Sequence, residues 1–479
     1  MQHRFDNQYA RLFPGLYSEH EPQGFERPEL VIANTELAAQ LGLDSSDPRF
    51  VNWLSGKSAM PGAEPIAQKY AGHQFGVYNP FLGDGRGLLL GELLDVDQQR
   101  WDLHLKGAGP TAYARGGDGR AVLRSCIREF LASEALHHLG IPSTRALAVV
   151  AGEVAVQRET VERGAMLTRA ARTHIRFGHF EHCFHKGLAG ELKALADFLI
   201  DTQLPHLREF GNPYKALFQH TVTVTASLIA QWQAQGFAHG VMNTDNMSML
   251  GDTFDYGPYG FLDDYEPGFV CNHSDHQGRY AFDQQPSIGL WNLNCLAMAF
   301  SPLVDSDDLV DALKGYQGHV ETTYINLMRR KLGLASHREI DGLLLTELLG
   351  LMAREKRDYH ATFRALCQFR LDTDPSPVRD HFIDREAFDD WAQHYRERLR
   401  VEDSDDDQRQ LAMKAVNPSY VLRNYLAQQA IEAAEQGDFA PLHELYQVLQ
   451  RPFEDQPGRE AYARTPPDWG KHLEISCSS

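Results

Sequence analysis

Several features that would give this chain an easy class are missing from its 479 residues. No apolar run approaches the ~20 residues needed to cross a bilayer. The N-terminus, MQHRFDNQYARLFPG, has neither a signal-peptide apolar core nor an Arg/Ser-rich transit composition, so a cytoplasmic location is expected. Positive charge is scarce: 46 Lys and Arg against 65 Asp and Glu leave a formal net charge of −19. Duplex nucleic acid is therefore not an expected partner, because phosphate backbones call for a basic surface. Cysteine is sparse: Cys126, Cys183, Cys271, Cys295, Cys367 and Cys477, with no CxxC pair, which argues against a zinc ribbon. No G-x-x-x-x-G-K-[ST] sequence occurs, which counts against a P-loop enzyme. No internal repeat or long low-complexity segment is present.

What remains is an ordinary globular composition, 43% hydrophobic and 23% charged, with length for two or three lobes. Residues 1–75 read as a lead-in that packs on a later core, with a short helix over 33–42 that stops at Gly42. Gly83-Asp84-Gly85-Arg86-Gly87 precedes an apolar strand over 88–94. Such a turn either lets backbone N–H groups approach phosphates or simply closes a hairpin. A second strand, 101–106, alternates and ends in Lys106. The helix over 121–139 buries Val122, Ile127, Phe130, Leu131 and Leu136 at helical spacing. Glu129 sits mid-helix, placed to pair with Lys106; Glu134 is the competing candidate. The loop between them, Gly116-Gly117-Asp118-Gly119-Arg120, either reaches phosphates or is merely flexible.

Strand-like runs over 146–150, 153–158 and 165–169 complete a small sheet. Arg169, Arg172 and Arg176 then fall within eight residues, a cluster suited to phosphate or to surface ion pairs. His179, His182, Cys183 and His185 match no established zinc spacing, and packing roles are favoured. Cys271-Asn272-His273-Ser274-Asp275-His276 is irregular and offers an incomplete Cys/His set. Helices are expected over 188–204, 215–235, 288–300, 309–332, 343–358, 385–400, 418–435 and 442–450. The acidic run 402–407 is expected to be solvated, and Pro466-Pro467 to begin an extended tail.

The stretch 237–263, FAHGVMNTDNMSMLGDTFDYGPYGFLD, organises the rest. Asn246 lies seven residues after His239, and Asp255-Tyr256-Gly257 begins nine residues after Asn246. That is the offset of the kinase H-R-D-x-x-x-x-N loop and its D-F-G turn, but Val241 stands where the catalytic aspartate belongs. The parts come in kinase order: glycine turn, strand lysine, helix glutamate, asparagine, aspartate. Asn246 and Asp255 offer oxygen ligands suited to Mg²⁺. Asp245 is the nearest carboxylate in the loop, either a relocated general base or a structural cap on a non-catalytic ATP-binding scaffold. A phosphoryl-transferring kinase is the third reading, which Val241 argues against.

With these residues in view, the chain resembles the selenoprotein O (SelO/YdiU) family over almost its whole length. The most specific pieces are YAGHQFGVYNPFLGDGRG, LKGAGPTAYARGGDGRAVLRSCIREFL, the stretch 237–263 and NPSYVLRNYLAQQAIEAAEQGD. The resemblance implies an α+β, protein-kinase-like bilobal fold: an N-terminal extension over 1–75, an N-lobe over 76–170, a C-lobe over 171–400 and a C-terminal extension over 401–479. It implies transfer of AMP from ATP to Ser, Thr or Tyr hydroxyls of proteins, and for bacterial members also UMP from UTP, with Mg²⁺ or Mn²⁺. The nucleotide would lie inverted relative to kinases. Carried over by position, Lys106, Arg169 and Arg176 would hold the buried phosphates. Gly83, Gly85, Arg86, Asp118 and Gly119 would line the nucleotide, Asp245 would be the base, and Asn246 and Asp255 the metal ligands. The resemblance also suggests a redox-sensitive disulfide between Cys271 and Cys477, where the bare sequence reads Cys477 as a free thiol. Target proteins, the ATP or UTP preference, self-modification and oligomeric state stay open, and no membrane partner is expected.

Overall fold

Apolar residues alternating with polar ones build the first part of the chain into sheet. The computed structural model describes residues 4–373 and 376–473. Its early strands are β1 (Tyr17–Glu19), β2 (Glu29–Ala33), β3 (Ile66–Gln68), β4 (Gly72–Gln74), β5 (Val77–Asn79), β6 (Gly87–Leu94), β7 (Arg100–Lys106), β8 (Ala121–Val122), β9 (Arg145–Gln157) and β10 (Val161–Ala171). β4 and β5 form a separate hairpin. The others make one antiparallel sheet, ordered β1-β3-β6-β7-β10-β9-β2, with β8 alongside β10. The lead-in segment therefore supplies β1, β2 and β3 to the same sheet.

Each face of this sheet has its own cover. Helices α1 (Gln8–Leu12), α2 (Thr35–Gln40) and α3 (Pro48–Leu54) precede the long α4 (Leu123–His138). Leu88, Leu90, Leu103 and Leu105 pack with Leu37 of α2 and with Phe50 and Trp53 of α3. Leu89 and Leu167 point the other way and pack with Ile127 and Phe130 of α4. The period of two puts His104, Lys106 and Arg169 on this second face. The β7–β10 register sets Arg169 opposite His104 and Leu167 opposite Lys106.

The second part is helical: α5 (Phe177–His185), α6 (Ala189–Gln203), α7 (Pro213–Ala234), α8 (Gln285–Phe300), α9 (Ser306–Lys331), α10 (Ile340–Glu355), α11 (Tyr359–Leu366), α12 (Ser376–Arg379), α13 (Arg385–Val401), α14 (Asp406–Lys414), α15 (Asn424–Glu435) and α16 (Ala440–Leu449). The architecture is thus α+β, sheet-rich first and helical after. Helix α7 starts at Pro213 behind the Asn212 cap, whose side chain accepts from the N–H groups of Tyr214 (3.0 Å) and Lys215 (3.1 Å). It delivers the chain to β11 (Phe237–Ala238), which pairs with β12 (Gly260–Phe261) and so fixes both ends of the central stretch. No helix among the described residues is long and apolar enough to cross a membrane.

Several elements differ from expectation, each for a local reason. The runs over 146–150 and 153–158 are one strand, β9, passing through Gly152. A Cβ on Gly152 would lie 2.3 Å from the Phe25 ring, so the glycine admits a core aromatic rather than ending the strand. The segment HFEHCFH lies wholly within helix α5, with Phe180 and Cys183 in the core. The helix expected from 418 begins at Asn424. Residues before it are held otherwise: the Ser419 and Tyr420 N–H groups donate to the Pro452 carbonyl, and Arg423 pairs with Asp263 (2.6 Å) and Asp358 (2.9 Å). The acidic run is not simply solvated: Glu402 pairs with Arg398 at 2.9 Å, and Asp405 caps α14. After Pro467 the chain makes a 3₁₀ turn, Asp468–His472, rather than an extended tail.

Candidate active site

The two inward faces, sheet and helical body, leave a cleft of about 840 Å³ between them. Its lining includes Gly83, Gly85, Arg86, Lys106, Asp118, Gly119, Arg169, Arg176, Asp245, Asn246 and Asp255. Every nucleotide, metal and catalytic candidate read from the sequence is thus brought to one place. Glu129 lies just beneath, 1% exposed.

The floor is a network of buried charge. Lys106 Nζ pairs with Glu129 Oε2, and Arg169 Nη1 bridges Glu129 Oε1 (3.2 Å) and Asp255 Oδ1 (2.5 Å). Arg176 Nη1 pairs with the other Asp255 oxygen and donates to the Asp245 backbone carbonyl at 2.7 Å. Its guanidinium lies between the rings of Tyr70 and Phe254, 4.6 and 4.7 Å from their centroids. Burial alone would raise the Asp255 carboxyl, but Arg176, Arg169 and Lys106 outweigh it and hold the group well below the usual carboxylate range. The competing glutamate, Glu134, sits elsewhere, bound to Arg145 at 2.8 Å and to Asn34. Because Lys106 and Arg169 share Glu129, Glu129→Gln leaves two buried cations short of a counter-charge. A destabilisation of about 3 kcal/mol is expected, and a melting temperature equal to the parent's would contradict the network.

The stretch 237–263 is held from inside. His239 donates from Nε2 to the Phe254 carbonyl (3.0 Å) and accepts the Val241 N–H at Nδ1, so it ties the loop to the residue before Asp255. Asp255 itself has φ +60°, a left-handed conformation that aspartate tolerates better than most residues. Asn246 donates from Nδ2 to the Val241 carbonyl at 2.9 Å, which turns the other side of its amide, the oxygen, away from that bond. Asp245 is 8% exposed; Oδ2 accepts from Gln74 Nε2 at 3.2 Å, and Oδ1 is buried without a partner among the described residues. Burial pushes this carboxyl up to about 7, with Arg176 opposing and Asp255 reinforcing the shift.

The asparagine amide oxygen and the Asp255 carboxylate are hard donors suited to Mg²⁺ or Mn²⁺. No group of three or more His, Cys, Asp or Glu side chains able to hold a metal occurs among the described residues. A cation here would need further oxygens, which nucleotide phosphates and water can supply.

At the cleft mouth Asp118 pairs with Arg158 at 2.7 Å. Gly119 (φ +65°) cannot carry a side chain, because a Cβ would sit 2.0 Å from the Gly109 backbone. Sequence reading missed Asp84, His104, Gln74 and Arg158. His104 was findable, since it shares a strand face with Lys106. Burial lowers its pKa, so the neutral ring accepts from Arg169 at Nδ1 (3.0 Å) and faces Asp84 with Nε2 (3.3 Å). Gln74 and Arg158 come from distant elements and carry no local signal. Cys271 is a free, buried thiol whose pKa burial raises to about 12; Cys477, its expected partner, lies outside the described residues.

A family model described as "Protein adenylyltransferase SelO" matches residues 1–450. Among curated proteins, "Protein nucleotidyltransferase YdiU" from Yersinia pseudotuberculosis serotype O:1b (strain IP 31758) is 54% identical over 478 residues, 99% of both chains. The protein of the same name from Yersinia pestis (strain Pestoides F) is also 54% identical, over 99% of this chain and 98% of its own. The chain belongs to the SelO protein adenylyltransferase family.

Proposed function

We propose that the cleft transfers a nucleoside monophosphate from a nucleoside triphosphate to a hydroxyl on a protein, AMP from ATP in the first instance and UMP from UTP in the second. The observation that carries this reading is Asp245: a buried carboxylate oxygen without a partner among the described residues, in the same cleft as Lys106, Arg169 and Arg176. The order of parts supports a protein-kinase-like arrangement, with lobes over 76–170 and 171–400 between extensions over 1–75 and 401–479. The acceptor is Ser, Thr or Tyr, and the chain's own hydroxyls are among the candidates.

Lys106, Arg169 and Arg176, 7%, 4% and 2% exposed, are the buried cations of the cleft and suit the far phosphates of an inverted nucleotide. Gly83, Gly85, Arg86, Asp118 and Gly119 line the remainder. The α-phosphate then lies by the catalytic loop. The acceptor oxygen attacks the α-phosphorus, the bond from that phosphorus to the bridging oxygen breaks, and pyrophosphate leaves. Asp245 takes the hydroxyl proton. Asn246 and Asp255 would hold Mg²⁺ or Mn²⁺, which supplies charge neutralisation for the phosphates. Val241 is then explained, because the acceptor approaches a different phosphorus from the one a kinase attacks.

The test is isotopic. Protein should acquire label from ATP labelled at the α-phosphate and none from the γ-phosphate. Label from the γ-phosphate alone would establish a kinase, and label from neither ATP nor UTP a non-catalytic nucleotide-binding scaffold.

A further inference from the structure

The hairpin β4–β5 is locked to the catalytic loop by three consecutive residues. The His73 N–H donates to Thr244 Oγ1 at 2.7 Å, Gln74 Nε2 to Asp245 at 3.2 Å, and the Phe75 N–H to Asn243 Oδ1 at 3.3 Å and Tyr280 OH at 2.9 Å. Behind it, His73 pairs with Glu181 of α5 and packs against Trp291 of α8. Its position relative to Asp245 is therefore fixed on both sides.

What the hairpin presents outward is apolar. Phe75 is 46% exposed, Val77 70% and Phe81 72%, in a protein of net charge −19. Gln74 and Val77 are cross-strand partners, so their side chains share a face. Val77 thus stands beside the glutamine that touches the catalytic carboxylate. The tip is strained: Phe75 (φ +50°) and Gly76 (φ +82°) both lie in the left-handed region, a turn that ordinarily takes Asn-Gly. The Phe75 ring packs on Tyr280, 5.1 Å between centroids, which holds the strained tip in place and leaves part of the ring exposed. The Arg279 guanidinium lies 3.4 Å from where a Gly76 Cβ would be and 4.7 Å from the Trp291 ring centroid. No carboxylate pairs with it among the described residues. Finally, among the described residues β4 is the one strand that pairs with β5, so the other edge of β5 has no strand partner.

We infer that the β4–β5 hairpin, with Phe81 and Arg279, is the docking ledge for the acceptor polypeptide, an extended segment carrying apolar and acidic residues near its hydroxyl. This rests on the nucleotidyl-transfer reading above and adds the acceptor's chemistry to it. Main-chain pairing along β5 gives affinity that does not depend on sequence. Val77 and Phe81 select apolar side chains, and Arg279 selects a carboxylate.

The test uses the full chain, ATP labelled at the α-phosphate, and a synthetic peptide library with a fixed tyrosine between randomised positions. The labelled pool should be enriched in large apolar residues and in Asp or Glu. For a peptide selected from it, the V77D/F81D double variant should raise KM roughly tenfold while kcat and the KM for ATP stay at parent values. R279Q should lose the acidic preference alone. A pool without either enrichment, or variants that keep the parent's KM and preferences, would overturn the ledge. So would a parent that labels itself but no peptide, while leaving nucleotidyl transfer standing. A parent that labels neither itself nor any peptide would overturn both.

Discussion

Asp255→Ala is expected to abolish transfer, with a loss on the order of 10³-fold or more in kcat. Two effects combine. The substitution removes a carboxylate proposed to hold the metal, and it releases Arg169 and Arg176 from the one group both of them pair with. Two buried guanidiniums left short of a counter-ion cost about 3–5 kcal/mol, so the melting temperature of the free variant should also fall. The freed arginines remain a phosphate site. Added ATP should therefore restore thermal stability in the variant by a larger shift than in the parent. Full activity in Asp255→Ala would refute the metal assignment. A melting temperature unchanged without ATP would refute the charge network.

Asp245→Asn separates catalysis from stability. Removing a general base is expected to lower kcat by about 10²–10⁴-fold, with little change in KM for ATP. In the parent, transfer should rise with pH and level off above about 7, because the carboxyl must be ionised to accept a proton and burial holds it at about 7. In Asp245→Asn that limb should vanish. Stability moves the other way. The carboxyl ionises near its ordinary 3.8 in the unfolded chain and near 7 in the folded one. Between those values the folded state binds the extra proton, so stability falls as pH rises through 7. The amide carries no such penalty. The variant should therefore be the more stable protein at pH 8, by on the order of 2 kcal/mol, and lose that advantage near pH 4. A pH–rate profile identical in parent and variant would remove Asp245 from the role of base.

Residue-level legibility followed the range of the forces involved. Lys106, Arg169 and Asp255 could be read because strand alternation and short motif offsets are local. The Gly42 stop after α2 is local in the same sense. Gln74 became a site residue through a hairpin whose loop partner lies 171 positions away in sequence. Glu402 could pass as a solvated acid until Arg398 and the Ser336 N–H were seen around it. The packing role expected for the histidines of α5 holds for His179, which accepts the Arg176 N–H and packs on Tyr70. The start of α15 could not be placed from its periodicity, because ion pairs from Arg423 to Asp263 and Asp358 hold the preceding residues out of the helix.

The edge position of β2 has a consequence for synthesis. Residues 29–33 leave the ribosome early, but their pairing partner β9 begins at Arg145. Roughly 110 residues must be translated in between, on the order of 10 s at ordinary elongation rates. Throughout that interval the apolar run Leu30, Val31 and Ile32 lacks the strand it pairs with in the folded protein. The nascent chain is thus most open to mispairing before the first half of the sheet exists. Closure of that edge by β9 brings β2 into the sheet, and β10, made next, joins both to β7.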